Sequence, residues 1–131
     1  MLQQTPEAEI VERGDAADDD RMYCAACGVV VTRQRWAIAM AGRHDHVFVN
    51  PSGFAFEIGC FREAPGSFAI GPATSEATWF PSYAWQVAVC LGCDIQLGWR
   101  YAGGAMPAIF FGLIRRRIAA APPARPLAPP A

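Results

Sequence analysis

The chain has no excess of charge of either sign. Eleven basic residues against twelve acidic ones leave a net charge of −1, so no global positive field recommends a nucleic-acid partner. It has no long hydrophobic run either. The longest apolar stretch, "AMPAIFFGLI", contains Pro107 and falls well short of the roughly 20 residues that a membrane-spanning helix needs. The first ten residues, "MLQQTPEAEI", lack a basic segment followed by an apolar one and do not read as a secretion signal. The expectation is therefore a cytoplasmic protein, without a membrane or nucleic-acid partner, whose five cysteines are thiols or metal ligands rather than a disulfide framework. No repeat of 20–50 residues is evident.

Hydrophobic residues make up 53% of the 131 positions, enough for the core of one domain. Residues 1–21 carry Glu7, Glu9, Glu12, Asp15, Asp18, Asp19 and Asp20 with no apolar period, and read as a disordered acidic tail. Residues 119–131 are rich in proline and alanine and read as a second disordered tail. The folded unit expected between them, residues 22–118, alternates turn signals such as "NPSG", "APGS" and "FPSY" with short β-branched and aromatic runs such as "HVFV", "WQVAVC" and "AIFFGLI". That rhythm argues for an all-β domain of antiparallel strands, roughly six to eight in number. "TRQRWAIAM" fits helix or strand equally, "GLIRRRIA" reads as a strand fraying into a basic turn, and Trp36 is assigned to the core.

Two C-x-x-C turns punctuate the unit: Cys24–Cys27, followed by glycine, and Cys90–Cys93, which contains one. Such a turn aims two thiolates at one point, and its glycines let backbone N–H groups approach the sulfurs. Two of them make a closed Cys₄ set, the pattern of a structural zinc ion with no open coordination position. The pairs enclose 62 residues, Gly28 to Val89, against about 15–20 in a compact zinc ribbon, so one ion would pin the two ends of a whole domain. A redox reading of either turn lacks its βαβ context. Cys60 reads as a buried apolar side chain, and the H-x-H of His44 and His46 as a polar turn before a strand.

Three of the four tryptophans lie in "TWFPSYAWQVAVCLGCDIQLGW", around the second cysteine turn. Trp99 and Tyr101, two apart, share one face of a strand. Trp79 and Trp85 flank "FPSYA" and fall on the two arms of a loop that leads into the strand carrying Cys90. Three indoles beside a proline turn are hard to fill into a core without leaving N–H groups unpaired. As the walls of a pocket they suit a flat or cationic small ligand.

The ordered set "CAAC", "HVFVNPSG", "SEATWFPSYAW", "CLGC", "LGWRY" and "FFGLI" resembles the CULT domain, the thalidomide-binding domain of cereblon, and most nearly its stand-alone bacterial versions. The resemblance covers about Tyr23 to Ile118. It implies a β-tent, two antiparallel sheets pinned near one end by a Cys₄ zinc site formed here by Cys24, Cys27, Cys90 and Cys93. It implies an aromatic cage made of Trp79, Trp85, Trp99 and Tyr101 with Asn50 and Pro51 beside it. The implied ligands are cyclic imides such as glutarimide and thalidomide-type molecules, uracil-like rings, or imide-modified peptide ends. In the family the imide N–H donates to a backbone carbonyl, here that of Ala77, and an imide carbonyl accepts from the N–H of Trp79. Cereblons commonly carry histidine where Ala77 stands, so the backbone contact survives while any side-chain contact is lost. Ubiquitin-dependent degradation is not inferred.

Two other functions compete with this non-enzymatic reading. B-type methionine sulfoxide reductases share a tent-like fold and a structural four-cysteine zinc, but need a nucleophilic cysteine after the second turn, and none follows Cys93. A nucleobase or nucleic-acid adaptor would use the cage for stacking and Arg115–Arg117 as a basic patch, against which the balanced charge argues.

Overall fold

The computed structural model describes residues 20–124; the remaining residues, most of both tails, lie outside the described part. The described residues are all-β and fold as two antiparallel sheets. Nine strands follow one another: β1 (Arg21–Cys24), β2 (Val30–Arg33), β3 (Asp45–Val49), β4 (Ala55–Phe61), β5 (Ser67–Thr74), β6 (Ala84–Cys90), β7 (Gln96–Ala102), β8 (Ile109–Ile114) and β9 (Ile118–Ala119). The small sheet has the order β2-β1-β9 and the large one β3-β4-β8-β7-β6-β5. Arg21 and Ala119, placed in the tails by composition, are instead strand ends: Arg21 pairs with Arg33, and Ala119 with Tyr23. A two-residue strand such as β9 carries too weak a pattern to be read locally; it exists because Ile118 lies opposite Cys24.

"TRQRWAIAM" is neither helix nor long strand. After β2 it makes a short 3₁₀ turn, Gln34–Trp36, then touches the large sheet through the bridge Ala37–Phe61. Trp36, expected in the core, is only half-buried and joins neither core cluster, because the turn carries it to the edge of the small sheet. The basic run Arg115–Arg117 forms a second 3₁₀ turn between β8 and β9.

Alternation along the strands, reset in β7 by a register shift at Leu97–Gly98 that turns Leu97 away from the face of Trp99 and Tyr101, sorts the apolar residues onto the two faces of the large sheet. One cluster, between the sheets, joins Cys24, Val31, Phe61, Ala64, Cys90, Leu97, Leu113 and Ile118. The other, on the opposite face, gathers Ile58, Cys60, Phe80, Tyr83, Tyr101, Phe110 and Ile114, with the three tryptophans 79, 85 and 99 packed against it. Close approach is bought at glycine: a Cβ on Gly98 would stand 2.0 Å from the Gly112 carbonyl oxygen, and one on Gly66 2.0 Å from that of Val30.

Candidate functional site

The two cysteine turns are built alike. In the first, the Cys24 N–H donates to the Val29 carbonyl and the Gly28 N–H to the Cys24 carbonyl; in the second, Cys90 N–H donates to Ile95 and Asp94 N–H to Cys90. The chain must then turn through a left-handed residue, and Gly28 (φ 86°) and Asp94 (φ 65°) occupy that position; glycine and aspartate both tolerate it. Cys24 and Cys27 belong to the small sheet's hairpin, Cys90 and Cys93 to the large sheet's β6–β7 turn. The four sulfurs lie within 4.8 Å of one another, with Cys24 to Cys93 at 3.8 Å and Cys27 to Cys90 at 3.6 Å. An ion held tetrahedrally at about 2.3 Å from each sulfur sets them ~3.8 Å apart, so the cluster has the dimensions to hold one. Backbone N–H groups turn toward the sulfurs, Gly92 to Cys90 at 3.3 Å, as thiolate ligands require. Gly92 is obligatory there: a Cβ would stand 2.9 Å from the Cys27 sulfur and 2.5 Å from a Val29 methyl.

The aromatic site lies on the other face of the strands that leave this cluster. β6 and β7 pair with Trp85 opposite Tyr101 and Val87 opposite Trp99, and β7 pairs with β8 so that Trp99 faces Gly112 and Tyr101 faces Phe110. Trp79 comes from the loop before β6. Its indole stacks on Phe48 (centroids 4.9 Å apart, 13° between planes) and meets Trp99 edge-on at 4.8 Å and 73°. Phe56 closes the corner behind Trp99, edge-on at 5.3 Å. Trp85 joins no ring contact among the described residues; its Nε1–H donates instead to the Glu76 carbonyl at 2.8 Å, tying the loop to the sheet. The result is a slot of about 460 Å³ lined by Asn50, Pro51, Ala77, Trp79, Trp85, Trp99 and Tyr101. All seven residues singled out in the sequence for a small ligand thus meet around one space, with Pro51, Glu76 and Ala77 exposed at the rim.

The loop backbone is arranged unevenly. The N–H of Glu76 is held by the Thr74 hydroxyl, that of Thr78 by the Ser75 carbonyl and that of Phe80 by the Thr78 hydroxyl. Ala77 adopts a left-handed conformation, φ 55°, and its carbonyl and the Trp79 N–H bond to no described residue. The rim hairpin is fixed by Asn50, whose side-chain oxygen accepts the Phe54 N–H at 2.9 Å. Five further lining residues, Phe56, Thr74, Glu76, Val87 and Gln96, escaped the sequence reading; only alternation with Trp85 and Trp99 across paired strands would have found Thr74 and Val87.

The other titratable candidates are accounted for structurally. His44 donates from Nδ1 to the Ile38 carbonyl, and His46 from Nε2 to the Met40 and Arg43 carbonyls, so the H-x-H pair serves a turn. Cys60 is fully buried, and burial, seconded by the charge of Asp45, pushes its thiol up to about 12. Arg115 pairs with Asp45 and Arg117 donates to the Gln96 carbonyl, which engages two of the three arginines of the basic run.

An all-β domain whose two sheets meet at a four-cysteine cluster, with an aromatic slot beyond it, fits the class of metal-stabilised ligand-binding modules. The sequence comparisons give it a name. A cereblon from Drosophila willistoni is 37% identical over 103 residues, 73% of this chain and 17% of its own length. A cereblon from Danio rerio is 34% identical over 71 residues, 52% of the chain and 16% of its own. One from Xenopus tropicalis is 26% identical over 96 residues, 71% and 21%. The described residues form a cereblon-like CULT domain. The chain spans about a fifth or less of the length of these relatives. No family model matches it.

Proposed function

We propose that the domain is a zinc-stabilised, non-enzymatic binding module whose slot takes cyclic imides, glutarimide and thalidomide-type ligands among them, uracil-like rings, or imide-modified peptide ends. The observation that carries this is the pairing of a free donor with a free acceptor at the slot: the Trp79 N–H and the Ala77 carbonyl, two residues apart on the one loop, both without a described partner. An imide edge offers the reverse pair, a carbonyl beside an N–H. The ring would lie against the indoles of Trp79, Trp85 and Trp99 over Tyr101, with Asn50 and Pro51 at the rim. Burying ~100 Å² of apolar ligand surface contributes roughly 2–3 kcal/mol, and two or three hydrogen bonds about 1 kcal/mol each. After the cost of association, micromolar affinity is the expectation.

Cys24, Cys27, Cys90 and Cys93 would hold the zinc. Four thiolates leave no open position, so the ion supplies structure rather than chemistry. The reductase alternative lacks a nucleophile: no cysteine follows Cys93, and a buried thiol raised to about 12 is a poor one. The deciding experiment is calorimetric titration of the metal-loaded protein with glutarimide, on wild type and Trp99→Ala. Saturable binding lost in the variant, at unchanged metal content, supports the proposal; no heat with the wild type overturns it.

A further inference from the structure

The two cysteine turns are built alike but covered unequally. The end of the described chain lies over the first. The Arg117 carbonyl accepts the Ala25 N–H at 3.0 Å, and Ile118 and Ala119 pair with Cys24 and Tyr23. Pro122 and Pro123 then pass over Gly28, where an added Cβ would stand 3.7 Å from the Pro122 Cβ and 3.5 Å from the Pro123 Cδ. Prolines suit such a strap, because their fixed φ leaves little freedom to lose when the segment is held down. Cys24 is fully buried and Cys27 half-buried. The second turn has no such cover among the described residues: Leu91, Gly92, Cys93 and Asp94 are exposed one after another. Cys90 is fully buried, which leaves Cys93 as the exposed member of the cluster, although its sulfur lies 3.8 Å from that of Cys24.

We infer that Cys93 is the site at which the cluster is modified by soft carbon electrophiles and gives up its metal, while residues 117–123 strap the first turn and keep Cys24 and Cys27 out of reach. The inference rests on the zinc reading of the four cysteines. A thiolate reacts only as far as a reagent can reach it. Burial shields Cys24 and Cys90, and Cys27 sits between the strapped turn and Gly92, a Cβ on which would stand 2.9 Å from its sulfur. With an α,β-unsaturated carbonyl compound, the Cys93 sulfur forms a bond to the β-carbon. The carbon–carbon double bond opens, and its other carbon takes a proton from water. The thioether left behind carries no charge to hold the ion, and three cysteines then face a position open to solvent.

The test treats the metal-loaded full chain with a limiting amount of N-ethylmaleimide. Modified cysteines are located by mass spectrometry after digestion, and released zinc is followed with a coloured chelator, in wild type and in the double variant Pro122→Gly, Pro123→Gly. In the wild type Cys93 should react first, at least about fivefold faster than Cys27, with zinc released in step. Cys60, fully buried on the other face of the large sheet, should stay unmodified and so report that the fold is intact. In the double variant Cys27 should react roughly fivefold faster than in the wild type, with Cys93 within about twofold of its former rate. Cys24 or Cys27 reacting first in the wild type, all four reacting together with Cys60, or a Cys27 rate that ignores the two prolines would each overturn the inference and leave the zinc reading standing. A chain that retains no zinc after loading would overturn both.

Discussion

The indoles of Trp79 and Trp99 meet edge to face, their centroids 4.8 Å apart and their planes at 73°. One belongs to a loop and the other to β7, so the corner they make holds only while the loop is fastened. Phe48 backs the loop indole, and the Trp85 Nε1–H bond to the Glu76 carbonyl ties down the backbone three residues before it.

Trp85→Phe keeps an aromatic wall and removes that tie. The loss in global stability should be modest, about 1 kcal/mol for the hydrogen bond. Hydrogen exchange at residues 76–80 should rise sharply, and glutarimide affinity should fall by about tenfold or more, since the loop must then be ordered on binding. Unchanged exchange in the loop would show that Phe48 and Phe80 suffice to hold it.

Gly112→Ala tests the floor. A Cβ there would stand 2.9 Å from the Ile58 Cδ1 and 3.2 Å from the Tyr101 Cε2, so either the aliphatic tip or the ring must shift. The expected cost in a denaturant melt is ~1–3 kcal/mol, as for overpacking generally, with weaker ligand binding as Tyr101 is pressed toward the slot.

Removing the metal should undo the tertiary structure, because two hairpins 62 residues apart in sequence are joined at one cluster. Chelator at neutral pH should collapse the near-ultraviolet tryptophan signal, and Cys90→Ser should reproduce the effect even in excess zinc. A chelated protein that kept its near-ultraviolet spectrum would show that the apolar cluster between the sheets holds without an ion.

The start of β1 carries a pH-sensitive tie. The Arg35 guanidinium, followed by its backbone N–H and by Arg33, holds the Asp20 carboxyl well below the usual carboxylate range. The folded value lies below the unfolded one of about 3.9. On acidification the unfolded chain therefore takes the proton first, and the contribution, present above that value, is lost as pH falls through and below it. Melting temperatures of wild type and Asp20→Asn should differ slightly near pH 7, and the gap should narrow steadily as pH falls from about 5 toward 2; a gap of constant size across that range would contradict this.

The meeting of the four cysteines and the aromatic walls of the slot were legible in the sequence because each is announced by local chemistry: paired cysteines at turn spacing, and Trp99 and Tyr101 two apart on a strand; Asn50, Pro51 and Ala77 were reached only through the family resemblance. Long-range pairing was not. β9 forms because Ile118 lies opposite Cys24, across more than ninety residues, and no short-range pattern signals a two-residue strand. Thr74 reaches the slot only through the register that sets it beside Trp85, whereas Val87, two after Trp85 on β6, shares its face and was open to the alternation argument. Trp36 misled by composition: large aromatics are usually buried, but the 3₁₀ turn after β2 leaves this one at the margin.

The central claim is that three of the four indoles wall a space a small ring can enter, and the fourth stands apart from it. The most direct measurement follows the four indole N–H resonances of the ¹⁵N-labelled, metal-loaded protein during titration with glutarimide. Saturable shifts of Trp79, Trp85 and Trp99, with Trp36 unmoved, are the predicted result. A spectrum indifferent to the ligand, or one in which Trp36 shifts as much as the other three, would contradict it.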